Sequence, residues 1–124
     1  MRVKFSQDPN GVQYLGFICP GCGDHHAVCI NGAARANWTW NDDLERPTLS
    51  PSILVTSGHY VTGFKKGEQK CWCDFNEEHP DWEGKAFKCY RCHSFVRAGR
   101  IEFLSDCTHE LAGQTVDLFE IEES

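Results

Sequence analysis

The sequence lacks the features that would assign it to several common classes of protein. None of the apolar runs in its 124 residues is long enough to cross a membrane, and the opening segment MRVKF holds no apolar stretch typical of a signal peptide. Internal repeats, heptads and low-complexity tracts are also missing. We therefore expect one small domain over residues 1–124, located in the cytoplasm and without a membrane partner.

Positive charge is scarce as well. The chain has 12 Lys and Arg against 18 Asp and Glu, which gives a net charge of −6, and its basic residues are scattered along the sequence. A protein that binds DNA or RNA usually presents a positive stripe that follows the phosphates. Nucleic acid is therefore excluded as an expected partner.

Cysteine is what the sequence has in quantity. Eight cysteines are present, and four of them form two C-x2-C knuckles, CPGC at 19–22 and CYRC at 89–92. A knuckle of this kind brings two thiolates to one ion, and zinc takes four such ligands in a tetrahedron. A secreted domain held by disulfides is the alternative, and the missing signal peptide argues against it. The pattern predicts structural Zn²⁺.

Two divisions of the cysteines between zinc sites are compatible with the sequence. In the first, a central site joins the beginning of the fold to its end, and three cysteines belong to an insertion. The central ligands are then Cys19, Cys22, Cys92 and Cys107, and the insertion holds Cys71, Cys73 and Cys89. In the second, a local site uses Cys71, Cys73, Cys89 and Cys92, while Cys19 and Cys22 need Cys107 and a histidine. Cys29 is predicted to be a buried free thiol.

Alternating apolar residues and turn signals predict a mostly β fold with elements like those of a zinc knuckle or zinc ribbon. The predicted strands cover 3–5, 12–18, 27–30, 38–40, 49–56, 92–96, 100–104 and 115–121. Residues 57–88 are rich in glycine and charged residues and are predicted to form an inserted loop or hairpin. One short helical turn is expected near the C-terminus, between Ser105 and Leu111, with Gly113 as its stop.

The segment PTLSPSIL at 47–54 carries candidate nucleophiles. On a strand, Ser50 and Ser52 face the same side, and Pro51 faces the other. Proline cannot donate a ladder hydrogen bond, so an edge strand or a bulge is expected here. A serine becomes a nucleophile only when a base lies next to it.

Candidate bases lie in the last third of the chain. If Cys92 turns toward a metal, the side chain of His93 points to the opposite face of the strand and is free to act as a base. In the segment DCTH at 106–109, Asp106 is a carboxylate able to orient such a base, and His109 is a second candidate base. Two histidines beside the first knuckle are interpreted as alternative ligands or surface residues, His25 and His26.

Five segments resemble a known family. They are GFICPGC at 16–22, WTWN at 38–41, RPTLSPS at 46–52, CHSFV at 92–96 and DCTHELAGQTV at 106–116. They are similar to small zinc-knuckle proteins of tailed bacteriophages, which often carry the label ammonia monooxygenase, a name that no feature here supports. They also resemble the serine peptidases of bacterial ubiquitination-like (Bub) operons. The resemblance to the phage proteins covers nearly the whole chain apart from the insertion, and the resemblance to the peptidases rests on the Ser-Pro-Ser and Cys/His segments.

The resemblance implies a Ser–His dyad that acts on a peptide or on the tail of a ubiquitin-like protein. Carried over to this sequence, the serine is Ser52, with Ser50 as the second choice, and the histidine is His93. It also favours the central zinc site over the local one. For a phage-encoded protein, the implied location is the cytoplasm of the host cell.

A non-catalytic function is the alternative. Where the peptidases have Ser-His-aromatic-Trp, this chain has CHSF at 92–95, and a short chain leaves little room for a substrate cleft. The alternative is a phage zinc module that binds a host protein. Geometry separates the two, because a serine hydroxyl within about 3.5 Å of a ring nitrogen of His93 or His109 favours the enzyme.

Overall fold

The computed structural model describes residues 1–32, 36–81 and 88–121 and consists mainly of two antiparallel sheets. The first has the order β1-β2-β3, and its strands are β1 (Lys4–Gln7), β2 (Gln13–Ile18) and β3 (His25–Cys29). The second has the order β4-β5-β6-β7-β8, with β4 (Thr39–Trp40), β5 (Leu49–Ser57), β6 (Tyr90–Arg97), β7 (Arg100–Phe103) and β8 (Thr115–Asp117). Each predicted strand has a counterpart, and the mostly β prediction is confirmed.

Side chains from both sheets form one buried cluster. From the first sheet and its flanks come Val3, Leu15, Phe17 and Val28, and from the second come Leu49, Ile53, Val96, Ile101, Phe103 and Leu118. Successive residues of a strand point to opposite faces, so their neighbours lie on the outer faces, which also carry exposed apolar side chains such as Leu54. Complete burial of one such side chain stabilises the fold by about 1.5–3 kcal/mol. Three cysteines lie in the same cluster, Cys19, Cys92 and Cys107.

Strand β6 alternates strictly between the two faces of its sheet. Cys92, Ser94 and Val96 are buried, whereas His93 and Phe95 between them are partly exposed. The strand therefore presents a cysteine to the core and a histidine to the open face at adjacent positions.

Strand β5 contains the bulge that its proline predicts. Leu49 pairs with Val96 and Ile53 pairs with Ser94, so β5 advances by four residues while β6 advances by two. The surplus falls on residues 50–52, which leave the regular ladder. On the side of β5 away from β6, the only strand among the described residues is the short β4, which pairs at Leu49 and Ser50 alone. Beyond the bulge, β5 is therefore an edge with respect to the described strands.

The insertion at 57–88 contains helices where a loop or hairpin was expected. A 3-10 helix spans Gly58–Tyr60, and α1 spans Trp72–Glu78. The carboxylate of Asp74 accepts a hydrogen bond from the backbone N–H of Cys71 at 3.1 Å, which closes a capping box at the start of α1. Residues 82–87 of the insertion lie outside the described residues.

No helix in the described parts of the chain has the length and apolarity that a membrane span requires.

The helical turn expected near the C-terminus takes the form of consecutive hydrogen-bonded turns. The backbone N–H of Ala112 donates to the carbonyl of His109 at 3.3 Å, and that of Gln114 donates to Leu111 at 2.9 Å. Gly113, the expected stop, has a φ of 79°, a value that glycine adopts without strain. These turns return the chain from β7 to β8.

Candidate active site and metal clusters

Ser52 and His93 lie against each other on the open face of the second sheet. The hydroxyl oxygen of Ser52 is 3.1 Å from Nε2 of His93, which is hydrogen-bonding distance. Ser52 stands at the end of the β5 bulge, and His93 pairs across the ladder with Leu54. His93 is therefore not the ladder partner of Ser52. The bulge nevertheless brings the two side chains together.

Asp106 lies on the other side of the imidazole. Its Oδ2 is 3.3 Å from Nδ1 of His93, and the side chains of His93 and Asp106 are 26% and 43% exposed. An imidazole that donates its Nδ1 proton to a carboxylate keeps Nε2 free to accept the hydrogen bond of a hydroxyl. Ser52, His93 and Asp106 therefore form the serine–histidine–aspartate arrangement found in serine hydrolases.

The turn that carries Asp106 is attached directly to the backbone of β6. The Sγ of Cys107 accepts a hydrogen bond from the N–H of His93, and its thiol donates to the carbonyl of the same residue, both at 3.2 Å. Next along the chain, the N–H of Thr108 donates to the carbonyl of Arg91 at 2.9 Å. These contacts keep the carboxylate of Asp106 beside the imidazole.

The other candidate nucleophile, Ser50, does not meet a histidine. Its side chain is exposed. Its backbone carbonyl accepts a hydrogen bond from the hydroxyl of Thr39 at 3.3 Å. Although Ser50 precedes Ser52 by two residues, the irregular backbone of the bulge gives the two serines different surroundings. The structure therefore brings Ser52, and not Ser50, to the imidazole.

His109, the second candidate base, lies on the inner side of the sheet. Its Nδ1 accepts a hydrogen bond from the N–H of Leu111 at 3.2 Å, so in the neutral ring the proton is on Nε2, which is 3.5 Å from Sγ of Cys92. Burial lowers the pKa of His109, which favours this neutral form. The ring therefore donates a hydrogen bond to a cysteine and does not serve Ser52.

A first group of potential metal ligands lies on the buried side of β6, opposite Ser52 and His93. The ligand atoms of Cys19, Cys22, His26 and Cys92 all lie within 4.8 Å of one another. Sγ of Cys19 and Sγ of Cys92 are 3.8 Å apart, which equals the separation of about 3.8 Å that two Zn–S bonds of 2.3 Å give in a tetrahedron. The N–H of Cys22 also donates to Sγ of Cys19 at 3.4 Å. We name this group the central cluster.

The imidazole of His26 supplies a test of whether a metal fits the central cluster. Its Nε2 is buried, and among the described residues it has no hydrogen-bond partner. A buried polar atom without a partner costs about 1–3 kcal/mol, and coordination of a metal removes that cost. Three thiols and one imidazole are a donor set that a soft divalent ion accepts. The central cluster can therefore hold a metal ion.

Thiol ionisation in the central cluster points the same way. Hydrogen bonds from Cys22 and Cys92 lower the pKa of Cys19 far below its usual range. The thiolate of Cys19 in turn raises the pKa of Cys22 to about 12 and, together with Cys22 and burial, raises that of Cys92 well above its usual range. Without a cation, ionisation of Cys19 thus makes ionisation of Cys22 and Cys92 harder. A divalent cation removes that conflict, because it stabilises every thiolate that coordinates it.

The central cluster differs from each predicted division at one position. In the first division, Cys107 was expected where His26 lies; in the second, which included a histidine, Cys107 was expected where Cys92 lies. Cys107 lies near Cys92 and His109 instead, and its Sγ bonds to the backbone of His93. Of the two histidines interpreted as alternative ligands or surface residues, His26 points inward on β3 with Val28 and joins the cluster, whereas His25 is exposed.

A second group of potential ligands lies at the insertion. Its members are His59, Cys71, Cys73 and Cys89, whose ligand atoms are likewise all within 4.8 Å of one another. We name this group the outer cluster, because two of its members are exposed and the other two are only partly buried. Cys71, Cys73 and Cys89 were expected to group together, and His59 was missed. A lone histidine distant in sequence from the cysteines offered no spacing signal.

The thiols of the outer cluster also influence one another. Burial raises the pKa of Cys89. Hydrogen bonds from the backbone of His59 and Cys73 and from the neighbouring thiols lower it by more than burial raises it, and the resulting pKa is about 6. Hydrogen bonding to Cys89 raises the pKa of Cys73 to about 11.

All eight cysteines of the protein are free thiols, so the disulfide alternative does not describe this structure.

Comparison with known families identifies the chain. The model of the family described as "Bacterial ubiquitination-like system serine protease (BubE)" matches residues 1–104, a range that includes Ser52 and His93 and stops short of Asp106. Neither a search of curated proteins nor a search of solved structures finds a match. The match covers most of the chain, and the chain belongs to the BubE family of bacterial ubiquitination-like system serine proteases.

Proposed function

We propose that the protein is a serine peptidase in which Ser52 is the nucleophile, His93 the general base and acid, and Asp106 the group that orients His93. The observation that carries the proposal is the 3.1 Å contact between the Ser52 hydroxyl and Nε2 of His93. The 3.3 Å contact between Nδ1 and Asp106 supports it, because it leaves Nε2 available to accept a proton.

The reaction follows from these contacts. As the Ser52 oxygen bonds to the carbonyl carbon of a peptide or isopeptide, its proton passes to Nε2 of His93. The imidazolium, stabilised by Asp106, gives that proton to the amine nitrogen as the C–N bond breaks. Water then attacks the resulting ester, its proton passes through Nε2 back to the Ser52 oxygen, and the acid product leaves. The backbone N–H groups of Ser52 and Ile53 are our candidates for stabilising the oxyanion.

We propose an extended protein tail as the substrate, with the C-terminal tail of a ubiquitin-like protein as the first choice. Among the described residues, β4 pairs with β5 only at Leu49 and Ser50, and the indole N–H of Trp38 donates to the carbonyl of Ser52 at 3.3 Å, so the backbone after Ser52 can pair with an added strand. Leu54, which is 55% exposed, is the cross-strand neighbour of His93. It offers an apolar contact to a substrate side chain close to the bond that is cut.

We assign Zn²⁺ to the central cluster, with Cys19, Cys22, His26 and Cys92 as its ligands. Three thiolates and one imidazole are a common ligand set of structural zinc. Bound there, zinc supplies a cross-link between the first knuckle, β3 and β6, while the proton transfers belong to Ser52 and His93. A zinc–thiolate protein of this kind suits a reducing compartment, and we propose the bacterial cytoplasm as its location.

The alternative, a non-catalytic zinc module that binds a host protein, is less well supported. It predicts serines and histidines that lie far apart, whereas the contact between Ser52 and His93 is shorter than the distance of about 3.5 Å chosen to separate the two functions. We therefore propose the peptidase and not the binding module.

A fluorophosphonate probe tests the assignment of the nucleophile before any substrate is known, because it reacts covalently with serines that a base activates. We expect the wild-type protein to be labelled, and peptide mapping to place the label on Ser52. Ser52→Ala should abolish labelling. Ser50→Ala is the matched control, since Ser50 lies in the same bulge without a histidine partner, and it should be labelled like the wild type. Labelling that persists in Ser52→Ala, or a wild-type protein that does not react, would contradict the proposal.

A further inference from the structure

We infer that the outer cluster is a second metal site, in which His59, Cys71, Cys73 and Cys89 bind a zinc-like divalent ion independently of the central cluster. The inference goes beyond the proposed peptidase, since the outer cluster shares no residue with Ser52, His93 and Asp106.

The ligand atoms of the outer cluster are already close to the geometry that a tetrahedral ion requires. All four lie within 4.8 Å of one another, and Sγ of Cys73 is 3.9 Å from Nδ1 of His59. With Zn–S and Zn–N bonds of about 2.3 and 2.0 Å, a tetrahedral site places sulfur and nitrogen about 3.5 Å apart. A shift of a few tenths of an ångström is therefore enough to close the site around an ion.

The four ligands come from three separate segments of the chain. His59 belongs to the 3-10 helix, Cys71 and Cys73 belong to the start of α1, and Cys89 directly precedes β6. The 3-10 helix approaches Cys89 so closely that a Cβ on Gly58 would overlap its Sγ. Surface thiols without a shared function have no reason to converge in this way from distant positions.

Burial contributes little to the stability of the helix α1. None of its seven residues is fully buried, so besides its capping box and the exposed ion pair between Lys70 and Glu78 it has only half-buried contacts. A helix shorter than about 12 residues is marginal in water without tertiary contacts. A metal ion bound by Cys71 and Cys73 at its start, and by His59 and Cys89 outside it, would attach the helix to the sheet.

Solvent access distinguishes the two clusters. A surface cavity of about 810 Å³ is lined by His59, Cys71 and Cys73, whereas Cys19 and Cys92 of the central cluster are fully buried. Four protein ligands leave no position for a substrate, so the outer metal has a structural role. It should exchange with solution more readily than the central metal, and its loss should loosen the insertion without unfolding the sheets.

The first test is the number of metal ions per chain. The full-length protein, expressed with zinc and purified in reductant, is analysed by elemental mass spectrometry alongside His59→Ala and Cys73→Ser. We expect two zinc ions per wild-type chain and one per chain of each variant. Both replaced residues are exposed, so the variants should keep the far-ultraviolet circular dichroism and the thermal unfolding of the wild-type sheets. Cys29→Ser is the matched control and should retain two ions, because Cys29 belongs to neither cluster.

The second test locates the missing ion. Limited proteolysis of the wild-type protein should be slow between residues 60 and 79, and cleavage there should become faster in Cys73→Ser or after brief treatment with a chelator. Zinc added back should restore protection in the wild type and leave Cys73→Ser sensitive. One zinc ion per wild-type chain, two ions in the variants, or a disulfide among Cys71, Cys73 and Cys89 in protein kept in reductant would each overturn the inference.

Discussion

Replacing Ser52 with alanine is expected to eliminate the acyl-enzyme, and replacing His93 with alanine is expected to slow its formation by about 10²–10⁴-fold. In the proposed mechanism, the serine supplies the oxygen that is acylated, and the histidine 3.1 Å away supplies the base that removes its proton. Acylation can be measured with p-nitrophenyl acetate, whose reaction releases a coloured product and leaves an acetyl group detectable by intact-protein mass spectrometry.

The two replacements should not be additive. Because the serine and the histidine act as one unit in the proposed mechanism, the double variant should be no slower than Ser52→Ala alone. Matched controls are Ser50→Ala and His25→Ala, which remove an exposed serine and an exposed histidine outside the site. If the controls slow acylation as much as the site variants do, or if Ser52→Ala still acquires the acetyl group, the proposed mechanism is wrong.

Loss of the central metal is expected to have the largest effect on stability. Structural zinc in small zinc-finger peptides contributes an apparent 10–16 kcal/mol, roughly, to folding, whereas a whole domain is typically stable by about 5–15 kcal/mol. Cys19→Ser replaces a buried ligand that is far in sequence from Ser52 and His93. We expect this variant to lose the cooperative thermal transition that circular dichroism detects in the wild type, together with the central zinc ion.

Cys29→Ser again provides the comparison, because it also replaces a buried cysteine. The thiol of Cys29 donates to Oδ1 of Asn31 at 3.4 Å, a contact that a serine hydroxyl can reproduce. This variant should keep its metal and unfold close to the wild-type temperature. A Cys19→Ser protein that unfolds as the wild type does, with unchanged metal content, would show that the central cluster does not stabilise the fold through an ion.

Local patterns were sufficient to predict the strands and the opposite orientations of neighbouring side chains. The alternation of β6 follows from the two-residue period of a strand. It places the side chains of Cys92 and His93 on opposite faces of the sheet, whatever the sheet packs against. Pro51 likewise indicated an irregular strand, because proline cannot complete a ladder, and β5 has a bulge at that point. These features depend on a few adjacent residues, which is why a single sequence carries them.

The membership of the metal clusters could not be predicted in the same way. Whether His26 or Cys107 completes the central group depends on how the two sheets pack, and His59 reaches the outer group only through the path of the insertion. The choice between Ser50 and Ser52 depends on the exact course of the bulge. Each outcome is set by contacts between distant segments, and spacing along the chain does not encode these contacts.

The adjacency of Cys92 and His93 restricts how this protein can change during evolution. One residue inserted or deleted within β6 would turn the thiol away from the core and the imidazole away from Ser52 in a single step. The tight turn at 106–108 is under the same restriction, since Asp106 and Cys107 contact the side chain and the backbone of His93. Length variation among related chains should therefore be absent from these two segments and should accumulate in the insertion, which holds none of the residues of the proposed active site.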